Sequence, residues 1–341
     1  GLRDRQFAIY TKLHHATIDG VAGIRITEGG CSPDPDAIAE PSPLSIDAHE
    51  RFKAARGYGR VADLEPSESD LQKIIEFCKA QFDISLHTLH LIRNYAATWL
   101  GLGDGLAVPW RHVPHTMINT KVSGARRFVA QSWSMGRIRA VSRAADVTIN
   151  DVVLAMCAGA LRRYLEEHDE LPKHSLRALV PVSVRRENDF DSPVAISYIV
   201  ADLGTRQEDP IDRLETIIES TRAGKAMLSE LSPREASLYA TLIQTPLFVA
   251  SMMGVADWFP PVSTVISNVP GPRQPLYLNG AALQGVYPMS AVFHGFALNI
   301  TFVSYHDNLD FGIVACRQTV PHVQRLIDYL EQSLAELEAA V

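Results

Sequence analysis

The chain has 341 residues, of which 46% are hydrophobic and 21% charged, values typical of a globular protein that buries a core. This composition excludes a disordered chain, a collagen-like repeat and a simple coiled coil. The 32 Lys+Arg against 39 Asp+Glu give a formal charge of −7, so no basic face is indicated and no nucleic acid is expected as a partner.

The four cysteines lie far apart without a CxxC pair. That favours reduced, buried thiols in a cytosolic protein over a disulfide framework or a zinc site.

The first predicted element is a strand over residues 7–13, where apolar side chains alternate. A short helix follows at 21–28 and ends at Gly29 and Gly30. A strand so close to residue 1 needs neighbours on both sides if it is central to a sheet. We therefore expect the chain to be a fragment, or one part of a cleaved precursor.

The next region is predicted to connect two lobes. Residues 31–47 are rich in Pro, Ser and Asp, which predicts an exposed linker. Apolar periodicity predicts helices near 69–82 and 85–100. We place a lobe boundary near residue 123.

Beyond that boundary, strand and helix signals alternate, which predicts a mixed α/β arrangement. Thr148 or Asn150 is expected to cap a helix, and Pro321 to open the last one. The predicted strands are 128–133, 176–184, 194–203, 262–268, 296–305 and 309–314, and the predicted helices are 134–145, 151–167, 209–231, one from 233 and one from 321.

Residues 236–256 carry no charge over a length that could cross a bilayer. Gln244, Pro246 and several Ser and Thr favour a buried or interfacial helix instead. If the function involves lipid, this segment is the surface that we expect to contact it.

Two adjacent histidines end the predicted strand at 7–13. His15 falls on the same face as Phe7 and Ile9, whereas His14 falls on the other, so the two do not converge on a metal ion. The HExxH pattern of zinc proteases is absent, and no metal is expected. A neutral imidazole at this position suits a general base, because the pKa of imidazole lies near neutral pH. A hydrogen-bonded core histidine is the alternative interpretation of a single His.

The segment 14–20, HHATIDG, resembles the active-site signature of the CoA-dependent acyltransferase superfamily. Three later segments are NDVVLA at 150–155, PVSVR at 181–185 and SNVPGP at 267–272. In this order, the four motifs resemble the bacterial wax ester synthase/diacylglycerol acyltransferase family. The resemblance covers most of the chain, apart from the linker after Gly30.

The resemblance implies an α/β, two-lobed fold like that of chloramphenicol acetyltransferase, with mixed β-sheets flanked by helices. The active site is expected in a tunnel between the lobes. Residues 1–30 would end the N-terminal lobe and carry the HHxxxDG motif, 31–123 would form a linker and helical connection, and 124–341 the C-terminal lobe. Family members carry a segment ahead of the motif, so we expect the N-terminal segment of the same precursor as a separate partner chain.

The implied activity is O-acyl transfer of a long-chain fatty acyl group from acyl-CoA to diacylglycerol, a fatty alcohol or both. No cofactor is expected, since acyl-CoA is a substrate. His15 would be the general base, and His14 a second residue of the catalytic site with a mainly supporting role. Asn268 would donate a hydrogen bond to the oxyanion or, as an alternative, hold the turn before Pro270.

Other motif residues are expected to support the site. The resemblance implies that Asp19 pairs with Arg185 and fixes the loop geometry. Gly20 would allow a close backbone approach and an unusual dihedral angle at the turn. Asn150 and Asp151 open a helix, where a cap and a carboxylate suit the helix dipole, so their role is expected to be structural.

Two alternatives remain open. One is a condensation-type acyltransferase that uses a carrier-protein thioester, and the other is a catalytically silent lipid-binding homologue. No secretion signal is visible, so we expect a cytoplasmic protein that attaches peripherally to the inner membrane or to lipid inclusions.

Overall fold

A computed structural model describes residues 2, 6–14, 20–38, 45–47, 50, 106–183 and 196–341. The predicted helices near 69–82 and 85–100 lie outside the described residues. The chain forms two compact units. The smaller comprises Gly1–Ala62 and Val269–Gln284, and the larger comprises Asp63–Asn268 and Gly285–Val341.

The described strands and helices follow the alternation that the sequence predicts. The strands are β1 (Arg126–Ser134), β2 (Arg177–Ser183), β3 (Ile196–Asp202), β4 (Thr264–Pro270), β5 (Tyr277–Leu278), β6 (Ala281–Ala282), β7 (Leu298–Tyr305) and β8 (Asn308–Cys316). The helices are α1 (Gly20–Gly29), α2 (Met135–Ala144), α3 (Ile149–Glu167), α4 (Pro210–Ser229), α5 (Pro233–Met252) and α6 (Arg325–Ala340).

The larger unit is built on a six-stranded mixed sheet in the order β1-β8-β7-β4-β2-β3. Strand β8 pairs antiparallel with both β1 and β7, β2 pairs antiparallel with β3, and β2 pairs parallel with β4. Strands β7 and β8 are buried along almost their whole length, as expected of strands covered on both faces. A two-residue loop joins them, in which His306 has a left-handed φ of 48°.

Helix α3 lies at the centre of the core. Residues 151–161 are all buried, and the helix packs against α2, α4 and α6. Thr148 caps its first turn, so of the two predicted caps, Thr148 and Asn150, the first is the correct one. Asp209 caps α4 by accepting hydrogen bonds from the backbone N–H groups of Ile211 and Asp212 at 2.7 and 3.2 Å.

Two sequence predictions are wrong. Residues 7–13 form no strand, and among the described residues none pairs with them; Ile9 and Tyr10 are 67% and 70% exposed. Alternating apolar side chains define two faces, but a strand also needs a hydrogen-bonded neighbour. The last helix begins at Arg325 rather than at Pro321, because His322 has a φ of 51°, which a right-handed helix does not allow.

The smaller unit contains a hairpin that the sequence analysis missed. Strands β5 and β6 are joined by Asn279 and Gly280, which have φ angles of 49° and 80°. Asn-Gly is the pair that a two-residue type I′ turn favours. The backbone of Ser32 exchanges two hydrogen bonds with Tyr277, at 2.8 and 2.7 Å, so the predicted linker at 31–47 is held to this hairpin near its start.

Within the described ranges, no single helix combines the length and the apolar composition needed to cross a bilayer. Helices α2 and α3 meet these criteria only together, as a pair bent by 103°.

Candidate active site

The predicted catalytic motif is described only at its two ends. His15 and Asp19 lie outside the described residues, as does Arg185 of the PVSVR segment. His14 has an exposed side chain at the end of the segment 6–14, and Gly20 is the first residue of α1. The roles predicted for these residues therefore stay predictions.

Gly20 ends the HHxxxDG motif and lies close to a second motif that is far away in the sequence. A Cβ atom at this position would lie 3.1 Å from Cγ2 of Val269, tighter than an ordinary van der Waals contact. Val269 belongs to the SNVPGP segment, so the end of HHxxxDG lies against that segment. Gly20 is not among the described glycines with a positive φ angle, and the unusual dihedral angle predicted for it stays a prediction. At this position, the absence of a side chain lets the backbone approach Val269 closely.

Asn268 precedes Val269 on β4, and its side chain is exposed. Strand β4 continues two residues beyond Asn268, to Pro270. Asn268 is the residue at which the chain leaves the larger unit, and Val269 begins the second stretch of the smaller unit. Both interpretations of this amide, oxyanion donor and turn support, remain predictions.

Asn119 anchors the start of β4, and the sequence analysis missed it. Its buried side-chain amide donates hydrogen bonds to the backbone carbonyls of Ser263 and Gly295, at 2.9 and 3.2 Å. The Thr264 hydroxyl donates to the Leu298 carbonyl at 3.0 Å. Only the fold brings these groups together, so no spacing in the sequence could have identified Asn119. These bonds fix the strand that leads to Asn268.

Asp151 is buried, and its carboxylate holds two helices. One oxygen accepts hydrogen bonds from the Thr148 backbone N–H and hydroxyl, at 3.2 and 2.6 Å. The other accepts one from the Thr221 hydroxyl of α4 at 3.0 Å. Asn150 beside it is half-buried. This geometry is that of a reciprocal helix cap, consistent with the structural role predicted for the pair.

A cleft of about 330 Å³ lies in the smaller unit. Its lining includes Glu28 and Cys31 after the catalytic motif, and Pro272, Arg273 and Leu276 at and after the end of SNVPGP. Burial raises the pKa of the Cys31 thiol, which keeps it protonated and unsuited to be a nucleophile. No described group of three or more His, Cys, Asp or Glu is placed to hold a metal ion.

Comparison with known proteins identifies the family. A model described as the wax ester synthase/diacylglycerol acyltransferase catalytic domain matches residues 1–153, and one described as the WS/DGAT C-terminal domain matches 195–338. A putative diacylglycerol O-acyltransferase of Mycobacterium tuberculosis is 43% identical over 351 residues, which covers 100% of this chain and 72% of the relative. The chain belongs to the wax ester synthase/diacylglycerol acyltransferase family. It is an acyltransferase, as its four motifs predict.

Further similarities agree with this assignment. The O-acyltransferase WSD of Acinetobacter baylyi is 36% identical over 341 residues, again 100% of this chain and 72% of the relative. The solved wax ester synthase/diacylglycerol acyltransferase from Marinobacter aquaeolei VT8 aligns with a TM-score of 0.72 at 36% identity, over 100% of this chain and 70% of that one. The epimerization domain of tyrocidine synthetase B aligns at 0.50 and 13% identity, over 96% and 68%, which shows the fold alone. The predicted α/β class is confirmed.

The structural role of Asp151 is testable. We expect Asp151→Ala to lower the free energy of unfolding by about 2–3 kcal/mol, because the buried Thr221 hydroxyl loses an acceptor and the first turn of α3 loses its reciprocal cap. Urea unfolding measures this. Asp328→Ala is the matched control, since Asp328 occupies the first turn of α6 with an exposed side chain, and should cost less than about 1 kcal/mol. Activity per folded molecule should be unchanged in Asp151→Ala; its loss at unchanged stability contradicts a structural role.

Proposed function

We propose that this acyltransferase moves a long-chain fatty acyl group from acyl-CoA to the hydroxyl of a diacylglycerol, a fatty alcohol or both. The observation that carries the proposal is the contact of Gly20 with Val269. These two residues belong to the HHxxxDG and SNVPGP motifs, which are far apart in the sequence. The names of the M. tuberculosis and A. baylyi relatives support acyl transfer to an oxygen.

In the proposed mechanism, His15 removes the proton from the acceptor hydroxyl as the oxygen attacks the thioester carbonyl. The tetrahedral oxyanion accepts a hydrogen bond from the Asn268 amide. The C–S bond then breaks, and the protonated imidazole returns the proton to the departing CoA thiolate. One ester and one free thiol form, no acyl-enzyme is made, and no cofactor takes part.

The remaining motif residues have supporting roles in this proposal. His14 orients the loop beside His15, and Asp19 forms an ion pair with Arg185 that fixes the loop. Breaking a buried pair of this kind costs about 3–5 kcal/mol, because one charge is left without its partner. Loss of Asp19 would therefore damage folding and activity together.

We include a second chain in the proposal, the N-terminal segment of the same precursor. Phe7, Ile9 and Tyr10 expose between 61% and 70% of their surface, which suits side chains that a further part of the first lobe covers. The assays below accordingly use the full precursor.

Peripheral attachment of this cytoplasmic protein to the inner membrane or to a lipid inclusion completes the proposal. Large apolar side chains are exposed along the end of α5 and the loop after it: Val249 at 46%, Met253 at 71%, Trp258 at 64% and Phe259 at 75%. Adjacent exposed Trp and Phe suit insertion at the boundary between lipid headgroups and acyl chains. This apolar surface would bring the enzyme to its insoluble acceptor.

The activity test uses labelled oleoyl-CoA with diolein or hexadecanol as acceptor. We expect ester formation by the wild-type precursor and a loss of at least about 100-fold in His15→Ala, the usual contribution of a general base. His115→Ala is the control, because His115 has an exposed side chain outside the motifs, and it should retain full activity.

The other outcomes separate the alternatives. Full activity in His15→Ala contradicts the proposed base. Turnover only with an acyl group on a carrier protein indicates a condensation-type enzyme, and diolein binding without any turnover indicates a silent homologue. Either result overturns the proposal.

The membrane surface is tested by flotation with phosphatidylglycerol–phosphatidylethanolamine vesicles. The double variant Trp258→Ser/Phe259→Ser should reduce the vesicle partition coefficient by about tenfold, because two large apolar side chains no longer leave water. Tyr287→Ser/Met289→Ser removes two apolar side chains of the same unit that are 43% and 49% exposed. This control should bind as the wild type does; equal loss in both variants contradicts a specific surface.

A further inference from the structure

Three polar side chains of the larger unit form a hydrogen-bonded chain near the start of β7. The Thr301 hydroxyl donates to Oδ1 of Asn299 at 2.8 Å. The hydroxyl oxygens of Ser290 and Thr301 lie 2.8 Å apart. Because a hydroxyl has one hydrogen, and that of Thr301 is given to Asn299, Ser290 is the donor in this second bond. The chain therefore runs from Ser290 through Thr301 and ends on the carbonyl oxygen of the Asn299 amide.

The amide nitrogen of Asn299 is left with two hydrogens to donate. Nothing in the described part of the chain accepts a hydrogen bond from it. Asn299 is a buried residue that keeps 8% of its surface exposed, so its amide is open to a bound molecule. Most buried polar groups have a partner, and a buried donor without one costs free energy. A ligand that presents an acceptor oxygen would satisfy this donor.

The surroundings of the amide are apolar. Asn299 points to the face of β7 opposite to Ile300 and Phe302, which lie in the core with residues of α3 and α6. Val314 lies directly across from Asn299 on β8, and Phe128 of β1 lies across from Val314. Residues directly across from each other on antiparallel strands share a face. The amide is therefore a polar group at the end of an apolar row.

The segment that carries Ser290 is fixed to this same face of the sheet. The Val286 backbone N–H donates to Oδ2 of Asp310 at 2.7 Å. A Cβ atom at Gly312 would lie 1.8 Å from the Pro288 carbonyl oxygen, so the segment lies directly against the backbone of β8. Ser290 follows two residues later. The hydroxyl that begins the polar chain is thus held in place before any ligand binds, which lowers the entropic cost of binding.

We propose that the Asn299 amide binds a carbonyl oxygen of a substrate. An amide N–H is a neutral donor that suits a neutral acceptor, whereas a phosphate is better bound by charged donors. Resting on the proposed function, we assign the oxygen to an ester of the diacylglycerol acceptor, because Val314 and Phe128 suit the hydrocarbon chain that continues from such an ester. The amides in the pantetheine arm of acyl-CoA are the other source of the same chemistry. Asn299 is then a specificity-determining residue that favours diacylglycerol over a fatty alcohol.

Three acceptors test this assignment in the full-length protein: diolein, its diether analogue 1,2-di-O-oleylglycerol, and hexadecanol. All three carry the hydroxyl that is acylated, but only diolein has ester carbonyls. Asn299→Asp keeps an oxygen for Thr301 and removes the two donor hydrogens. We expect it to lower kcat/KM for diolein by about three- to tenfold, the usual effect of one lost hydrogen bond. The values for the diether and hexadecanol should stay unchanged. A loss of folded enzyme would lower all three equally.

Two further variants serve as checks. Asn299→Leu is similar in size and adds no charge, and it should reproduce the loss that is selective for diolein. Asn308→Asp is the matched control, because Asn308 is a half-buried asparagine on β8 at the far end of the same hairpin. It should leave kcat/KM for all three acceptors unchanged.

The kinetic constants distinguish the two sources of the carbonyl. An equal loss for the three acceptors, with a raised KM for oleoyl-CoA, supports the carbonyl site and overturns its assignment to the acceptor. An equal loss at an unchanged KM for oleoyl-CoA, or no loss in either Asn299 variant, overturns the site itself.

Binding without turnover separates this inference from the proposed function. Radiolabelled diolein and its diether, presented in detergent micelles without acyl-CoA, give the two dissociation constants. Asn299→Asp should raise the Kd for diolein by about three- to tenfold and leave that for the diether unchanged. An unchanged Kd for diolein overturns the assignment to the acceptor. A wild-type protein without any turnover would contradict the proposed function, and this binding result would still decide the role of Asn299.

Discussion

The buried carboxylate of Asp151 is the constraint on which the larger unit depends. It satisfies donors of Thr148 ahead of α3 and of Thr221 on α4, at the helix end where the dipole favours a negative charge. The following turns of α3 are buried as far as Leu161. Because a close-packed interior does not yield to small shifts, fixing the start of this helix fixes the helices that pack on it. A residue in a family motif can therefore govern the fold without contacting substrate.

A second anchor of the larger unit lies at the start of β4. Asn119 holds the backbone there through its buried amide, and β4 runs on to Asn268. The next residue, Val269, meets Gly20 at the end of the catalytic motif. Acyl transfer requires reacting atoms to be placed within fractions of an ångström. A strand fixed at its origin is a suitable means of placing Asn268 and the turn that follows.

Much of the fold could be predicted because its signals are local. The cap at Thr148 depends on a few neighbouring residues, and the short loop between β7 and β8 likewise needs only the residues beside it. The strand predicted at 7–13 failed because side-chain alternation carries no information about a pairing partner. Asn119 was missed for a related reason: the carbonyls that it binds come from separate segments, and only the fold brings them together. Gly20 was identified from its motif, and the close backbone approach expected there is present, against Val269.

The central claim is that a neutral histidine of the HHxxxDG motif accepts the proton of the acceptor hydroxyl during direct transfer. The pH dependence of kcat/KM for ester formation by the full-length protein tests it most directly. The account predicts that kcat/KM rises tenfold per pH unit on the acid side and levels off once one imidazole has lost its proton. It also predicts that the residual activity of His15→Ala does not rise with pH on the acid side. If the same rise persists unchanged in His15→Ala, another group is the base.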